Sequence, residues 1–277
     1  DTATNAQILF LVLNASSLTL LPVTIFMYRL QQGAPDPTLV FLPILLATSA
    51  STLVGLLSVA LVQRLPIFSP VVLAYLLPVA LALTAFMAFL TTLSAAALAH
   101  LSSLMGNLTL FALVVLFVAL GAYKKVAVYD SFIEGAKEGF GVAKGLLPYL
   151  VAMLCAVGVF RASGALEYVL SAIRWVVDTV GLDARFVDAL PTALVKPFSG
   201  SAARAMLIET MQSHGVDSFA ALTAATVQGS TETTFYVLAV YFGAVGIQRA
   251  RHAVACALVA ELAGVVAAIA VCYRFFG

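Results

Sequence analysis

Near the C-terminal end of the chain, "VQGSTETTFYVL" sets Gln228, Ser230, Thr231, Glu232 and Thr233 within an almost wholly apolar stretch. Amide, hydroxyl and carboxylate groups at this density can hydrogen-bond a polar solute or ligate a cation. A second run, "NASSLTLLPV", lies near the start. Aligned with the first, it sets Asn14 against Gln228, Ser16 against Ser230, Ser17 against Thr231 and Thr19 against Thr233. Leu18 stands where the other run has Glu232. A third cluster, "LVKPFSGSAARAM", places the hydroxyls of Ser199 and Ser201 at a Gly/Pro-marked turn beside Lys196 and Arg204. These residues are the expected contacts for a small polar solute or an ion. Glu232 and Glu261 are the acids expected at membrane depth. A charge there costs about 2.5–3.5 kcal/mol on insertion scales, so each needs a partner, a proton or a water-filled cavity. Both are therefore candidates for coupling to Na⁺ or H⁺. Glu261 lacks polar neighbours in its own stretch.

Other chemistries find little support. Cys155, Cys256 and Cys272 sit inside apolar runs without metal-ligand spacing. No nucleophile–base order and no phosphate-cradling Gly-rich loop is present, so neither an enzyme nor an ATP motor is expected, and no cofactor. His100 and Asn107 read as loop residues, and His214 and His252 as loop-adjacent.

The elements that must position these groups are membrane elements. Of 277 residues, 62% are hydrophobic and only 10% charged, against about 25% charged in soluble domains. Lipid is the expected solvent, and a multi-pass membrane protein the expected class. The net charge of +1 leaves no basic field for nucleic acid. The apolar runs are continuous rather than alternating, so an all-α fold is expected rather than a barrel. Spans are read at 39–62, 71–98, 108–123, 146–160 and 253–271. Segments 8–28 and 219–245 are apolar but broken by the polar runs. Residues 190–206 read as two half-helices of a re-entrant hairpin. Residues 129–144 form an amphipathic interfacial helix with Phe132, Ile133, Ala136, Phe140 and Ala143 on its apolar side, and 166–180 form another. Such helices need neighbours, which a homodimer would supply.

The matched polar runs, each followed by a loop and a long span, read as an internal repeat. Thr52 then falls near Glu261. Three spans between the units make the second unit upside down relative to the first, the inverted topology of many secondary transporters. The organisation is a first unit over 1–65, connecting helices over 66–128 and a second unit over 129–277. Read singly, the hydroxyls could equally bond helix to helix. A non-transporting membrane scaffold or assembly factor is thus the alternative to a transporter.

"FIEGAKEGFGVAKGLLPYLVAMLCAVGVFRASGALEYV", "LVKPFSGSAARAM" and "VQGSTETTFYVLAVYFGAVGIQRARHA" resemble the spore maturation protein B family. "NAQILFLVLNASSLTLLPVTIFMYRLQQGAPDPTLV" through "LLATSASTLVGLL" resembles the C-terminal part of the A-type family. Both are similar to the nucleoside-recognition, or Gate, domain family. The resemblance implies a fused A/B-like protein of the bacterial inner membrane with a transporter-like core, and a nucleoside-like solute among the candidates. It also implies that an A-type segment precedes Asp1, with a hairpin to partner Ser199.

Overall fold

The computed structural model describes residues 1–66 and 69–277, with some side chains within 71–80 and 142–161 left outside the description. The fold is all-helical. The first group is α1 (Asn5–Ser16), α2 (Val23–Gln31), a 3-10 turn (Pro37–Val40) and α3 (Phe41–Gln63). Three long helices follow: α4 (Pro70–Thr91), α5 (Ala95–Tyr123) and α6 (Val128–Ala162). Then come α7 (Ala165–Thr179), a second 3-10 turn (Ala184–Ala189), α8 (Leu190–Val195) and α9 (Gly200–His214). The chain closes with α10 (Phe219–Ser230), α11 (Thr234–Ala244) and α12 (Ala253–Phe276). Among the described residues, Pro37–Gln63, Ala95–Tyr123 and Ala253–Phe276 are long and apolar enough to cross a membrane. The molecule is a helical membrane protein.

Two sequence expectations are corrected here. His100 and Asn107 lie inside α5, not in a loop, and Leu98 belongs to α5 rather than to the preceding span. Ser94 caps α5 by accepting the Ala97 N–H at 3.3 Å, which starts the helix early. Gly106 serves close approach rather than a turn. A Cβ there would lie 2.8 Å from Thr38 Cβ. Ser102, one turn earlier, donates to the Leu39 carbonyl at 2.7 Å and accepts the Leu42 N–H at 2.9 Å. The second correction concerns α6. The amphipathic stretch and the following apolar span form one helix of 35 residues, about 52 Å long. Its glycines each cost only about 1 kcal/mol relative to alanine, which is too little to end a helix. Ala143 and much of 146–160 lie outside the described side chains.

The centre of the molecule is the crossing of α3 and α12, where small residues let the backbones approach. A Cβ on Gly55 would lie 3.0 Å from Ala260 and 3.6 Å from Ser16. A Cβ on Gly264 would lie 3.1 Å from Ser51 and 2.8 Å from Thr231. Ser51 donates to the Ala260 carbonyl at 2.8 Å across the crossing. Each glycine thus meets the other long helix on one side and the end of a broken helix on the other. The termini of these groups are stitched together as well. Ala3 N–H donates to the Arg249 carbonyl at 3.0 Å, and the Gln248 and Arg249 N–H groups donate to the Asp1 carbonyl at 2.9 Å.

Arg29, fully buried at the end of α2, is a second fastening. It donates to the carbonyls of Pro37 at 3.2 Å, Asp36 at 3.1 Å and Val216 at 3.0 Å, and pairs with Asp217 at 2.8 Å. Its planar fork joins the α2 end to the α9–α10 loop.

Candidate functional site

Both polar runs break a helix. Ser17 takes φ 34° and returns its N–H to the Leu13 carbonyl, which ends α1. Pro22 then restricts Leu21 and opens α2. Thr48 of α3 braces the gap. Its hydroxyl donates to the Ser17 carbonyl and accepts the Thr19 N–H, the latter at 3.1 Å. In the second break, Thr231 and Thr233 are extended between α10 and α11. The backbone groups freed there are partly paired outside their own helices. Glu232 N–H donates to the Ala15 carbonyl at 2.9 Å, and Phe235 N–H to the Pro197 carbonyl at 3.1 Å. The two breaks therefore meet through the backbone.

The α8–α9 hairpin closes against them. Ser199 caps α9 by accepting the Ala202 N–H at 3.2 Å and lies 3.2 Å from the Ser201 hydroxyl. Gly200 admits Thr233, because a Cβ there would sit 2.7 Å from the Thr233 Oγ1. Phe198 stacks on Phe235 with ring centroids 5.4 Å apart. Lys196, 1% exposed, sends its ammonium to the carbonyls of Val227, at 2.8 Å, and Gln228 at the C-terminal end of α10. A cation suits that end of a helix.

An open cavity of about 750 Å³ lies where the breaks and the hairpin meet. Of the residues expected from sequence, Ser17, Thr19, Ser199, Ser201, Gln228, Thr231, Glu232 and Thr233 line it. Asn14, Ser16, Ser230 and Glu261 do not. Asn14 bonds its own helix at Phe10, 2.8 Å, and receives the Tyr241 hydroxyl at 3.3 Å. Ser16 and Ser230 are buried and bond back to the carbonyls of Leu13 and Val227. The reason is helical phase: these residues belong to the last turns of α1 and α10, so the side chains point around the helix rather than along the gap.

Glu261, buried in α12, has no polar neighbours in its own stretch but meets them from other helices. The Thr234 hydroxyl donates to one oxygen at 2.6 Å, and Lys196 and Glu261 are near enough to act on each other's charge. Its other oxygen has no hydrogen bond, nor have Thr231 Oγ1, Thr52 Oγ1 and the Gln228 amide oxygen. Two contributors escaped the sequence reading. Lys196 was seen at the turn but not as the buried cap of α10; its signal is a lone lysine among apolar residues. Thr48 carries no signal that separates it from Ser49, Ser51 and Thr52. Among the described residues no cluster of His, Cys, Asp and Glu fits a metal ion.

Comparison with known proteins bears on this region. The nucleoside-recognition (Gate) family model matches residues 143–248, which include the hairpin and the second break. Spore maturation protein B of Bacillus subtilis (strain 168) is 45% identical over 157 residues, covering 57% of this chain and 86% of the relative. No solved structure matches.

Proposed function

Since the chain belongs to the family of spore maturation protein B and carries a Gate domain, we propose that it is a transporter-like protein of the bacterial inner membrane. It binds and translocates a small polar solute, nucleoside-like, or an ion between two inverted repeats. The observation that carries this reading is the meeting of two helix breaks beside one cavity: Glu232 N–H reaches the Ala15 carbonyl, and residues of both breaks line the space. Broken helices at a repeat interface are the usual way a membrane protein presents backbone and hydroxyl groups to cargo.

The repeat assignment rests on matched elements. Each unit runs broken helix, loop, long helix, and the Gly55 and Gly264 contacts exchange when the units are exchanged. The same exchange pairs Thr52 with Glu261. Three long helices, α4, α5 and α6, lie between α3 and the second hairpin and break, α6 opening the second unit, and an odd number of crossings turns the second broken helix over relative to the first. The units span 1–65 and 129–277, with 66–128 connecting them. In this reading Glu232, facing the cavity, couples cargo movement to H⁺ or Na⁺, while Glu261 holds the wall with Lys196.

The test is uptake of labelled uridine, phosphate and Na⁺ by proteoliposomes. Uptake of one of them, with ion dependence abolished in Glu232→Gln, is expected. Full uptake with unchanged ion dependence in that variant sinks the coupling role. A second reading, a scaffold without transport, draws on the exposed Phe132 and Phe140 of α6 and Trp175 of α7, which suit a homodimer or another partner. It predicts no uptake, together with protection of Ser199→Cys and Thr233→Cys from membrane-impermeant maleimide.

A further inference from the structure

The cavity has a marked electrical polarity. Three helices start at its wall: α2 of 9 residues, α9 of 15 and α11 of 11. Each N-terminus is equivalent to about half a positive charge. Their first turns hold backbone donors without a protein acceptor. Among the described residues lining the cavity, the N–H groups of Thr24, Gly200, Ser201 and Tyr236 make no hydrogen bond. The caps of α2 and α11, Pro22 and Thr233, supply no side-chain acceptor. Arg204 lines the same space and spends only its Nε–H, on the Gly200 carbonyl at 3.0 Å. The rest of its guanidinium has no partner among the described residues. Lys196 adds a second cation to the wall, and Glu232 is the single carboxylate among the described residues that line it.

An independent observation points to a ligand. Thr231 is 4% exposed, lines the cavity, and its hydroxyl has no hydrogen bond. Its methyl group faces Gly264 of α12 and the hydroxyl is shut off from solvent, so it meets a ligand in the cavity through a turn of the side chain. A buried hydroxyl left unpaired costs about 1–3 kcal/mol, which a bound acceptor would return.

We infer that the cavity takes an anion, a carboxylate or phosphate group, held between the N-termini of α9 and α11 by free backbone N–H groups, the Arg204 guanidinium and the Thr231 hydroxyl. A neutral cargo would leave those donors and the positive helix ends uncompensated. A bare cation would meet them as repulsion, with only Glu232 to offset it. The inference rests on the proposed binding role of the cavity and names the charge of what enters.

The experiment is thermal unfolding of the purified full chain in neutral maltoside micelles. It is titrated with inorganic phosphate, succinate or uridine at ionic strength matched with chloride. Phosphate or succinate should raise the midpoint saturably. The apparent affinity should fall at least tenfold in Arg204→Gln and severalfold in Thr231→Val, recover in part in Arg204→Lys, and hold in Lys137→Gln on exposed α6. If the protection appears only when phosphatidylglycerol is added, the anion is a lipid headgroup; if soluble anions suffice, it is a free solute. Protection by uridine alone overturns the anionic assignment and leaves the cavity as a solute site. Absence of protection by either soluble anion and by phosphatidylglycerol, or equal protection in Arg204→Gln, also overturns it. The uptake assay on wild-type protein decides the transport reading separately.

Discussion

Lys196 shows how a single residue ties three parts of the site together. Its ammonium closes two carbonyls at the end of α10 and lies within electrostatic reach of both Glu261 and Glu232. Lys196→Met removes the donor and leaves buried acceptors, each costing about 1–3 kcal/mol when unsatisfied. A fall in the thermal midpoint in detergent is expected, read by intrinsic fluorescence. Adding Glu261→Gln to Lys196→Met should recover part of the loss, because the second substitution removes the stranded charge. Strict additivity of the two effects would show that the pair does not interact.

At the scale of elements, the α3–α12 crossing depends on glycines that face each other's helices. Alanine at Gly264 gains about 1 kcal/mol of helix propensity but puts a Cβ 2.8 Å from the Thr231 methyl group and 3.1 Å from Ser51. Overpacking of this kind costs about 1–3 kcal/mol. Gly264→Ala should therefore lower the thermal midpoint. Gly135→Ala on α6, where nothing lies within 4 Å, should leave it unchanged or raise it. Equal behaviour of the two variants would mean that the crossing is looser than these distances say.

For the whole molecule, the question is what holds the first group of helices against the last. Arg29 does so with a planar fork of four contacts, which a lysine cannot reproduce. Arg29→Lys should destabilise by about 2–4 kcal/mol and should free the α9–α10 loop to proteases. The backbone bridge between the breaks is testable directly. With the three native cysteines replaced, Ala15→Cys and Glu232→Cys should form a disulfide under mild oxidation in native membranes, seen as a mobility shift. Failure of that pair to crosslink, with crosslinking of neither residue to the other unit, would show that the breaks stand apart.

Composition and continuous apolar runs were enough to identify a helical membrane protein, because lipid demands that every backbone group be paired within its own helix. The positions of both breaks were legible too, since Pro22 and the dense hydroxyls of 230–233 mark them. The hairpin turn at Lys196–Ser199 was equally plain from its proline and glycine. Tertiary structure alone decided which hydroxyls reach the cavity. Ser16, Ser17, Ser230 and Thr231 are alike in type, but helical phase and the approach of α12 bury Ser16 and Ser230 and leave Ser17 and Thr231 on the wall. It also decided that α5 runs on where a loop was expected, because Gly106 answers to Thr38 across space rather than to its neighbours in sequence. The polarity of the site belongs to the same class. Sequence lists the charges of Lys196, Arg204 and Glu232, but only the assembled fold brings three helix N-termini to one cavity.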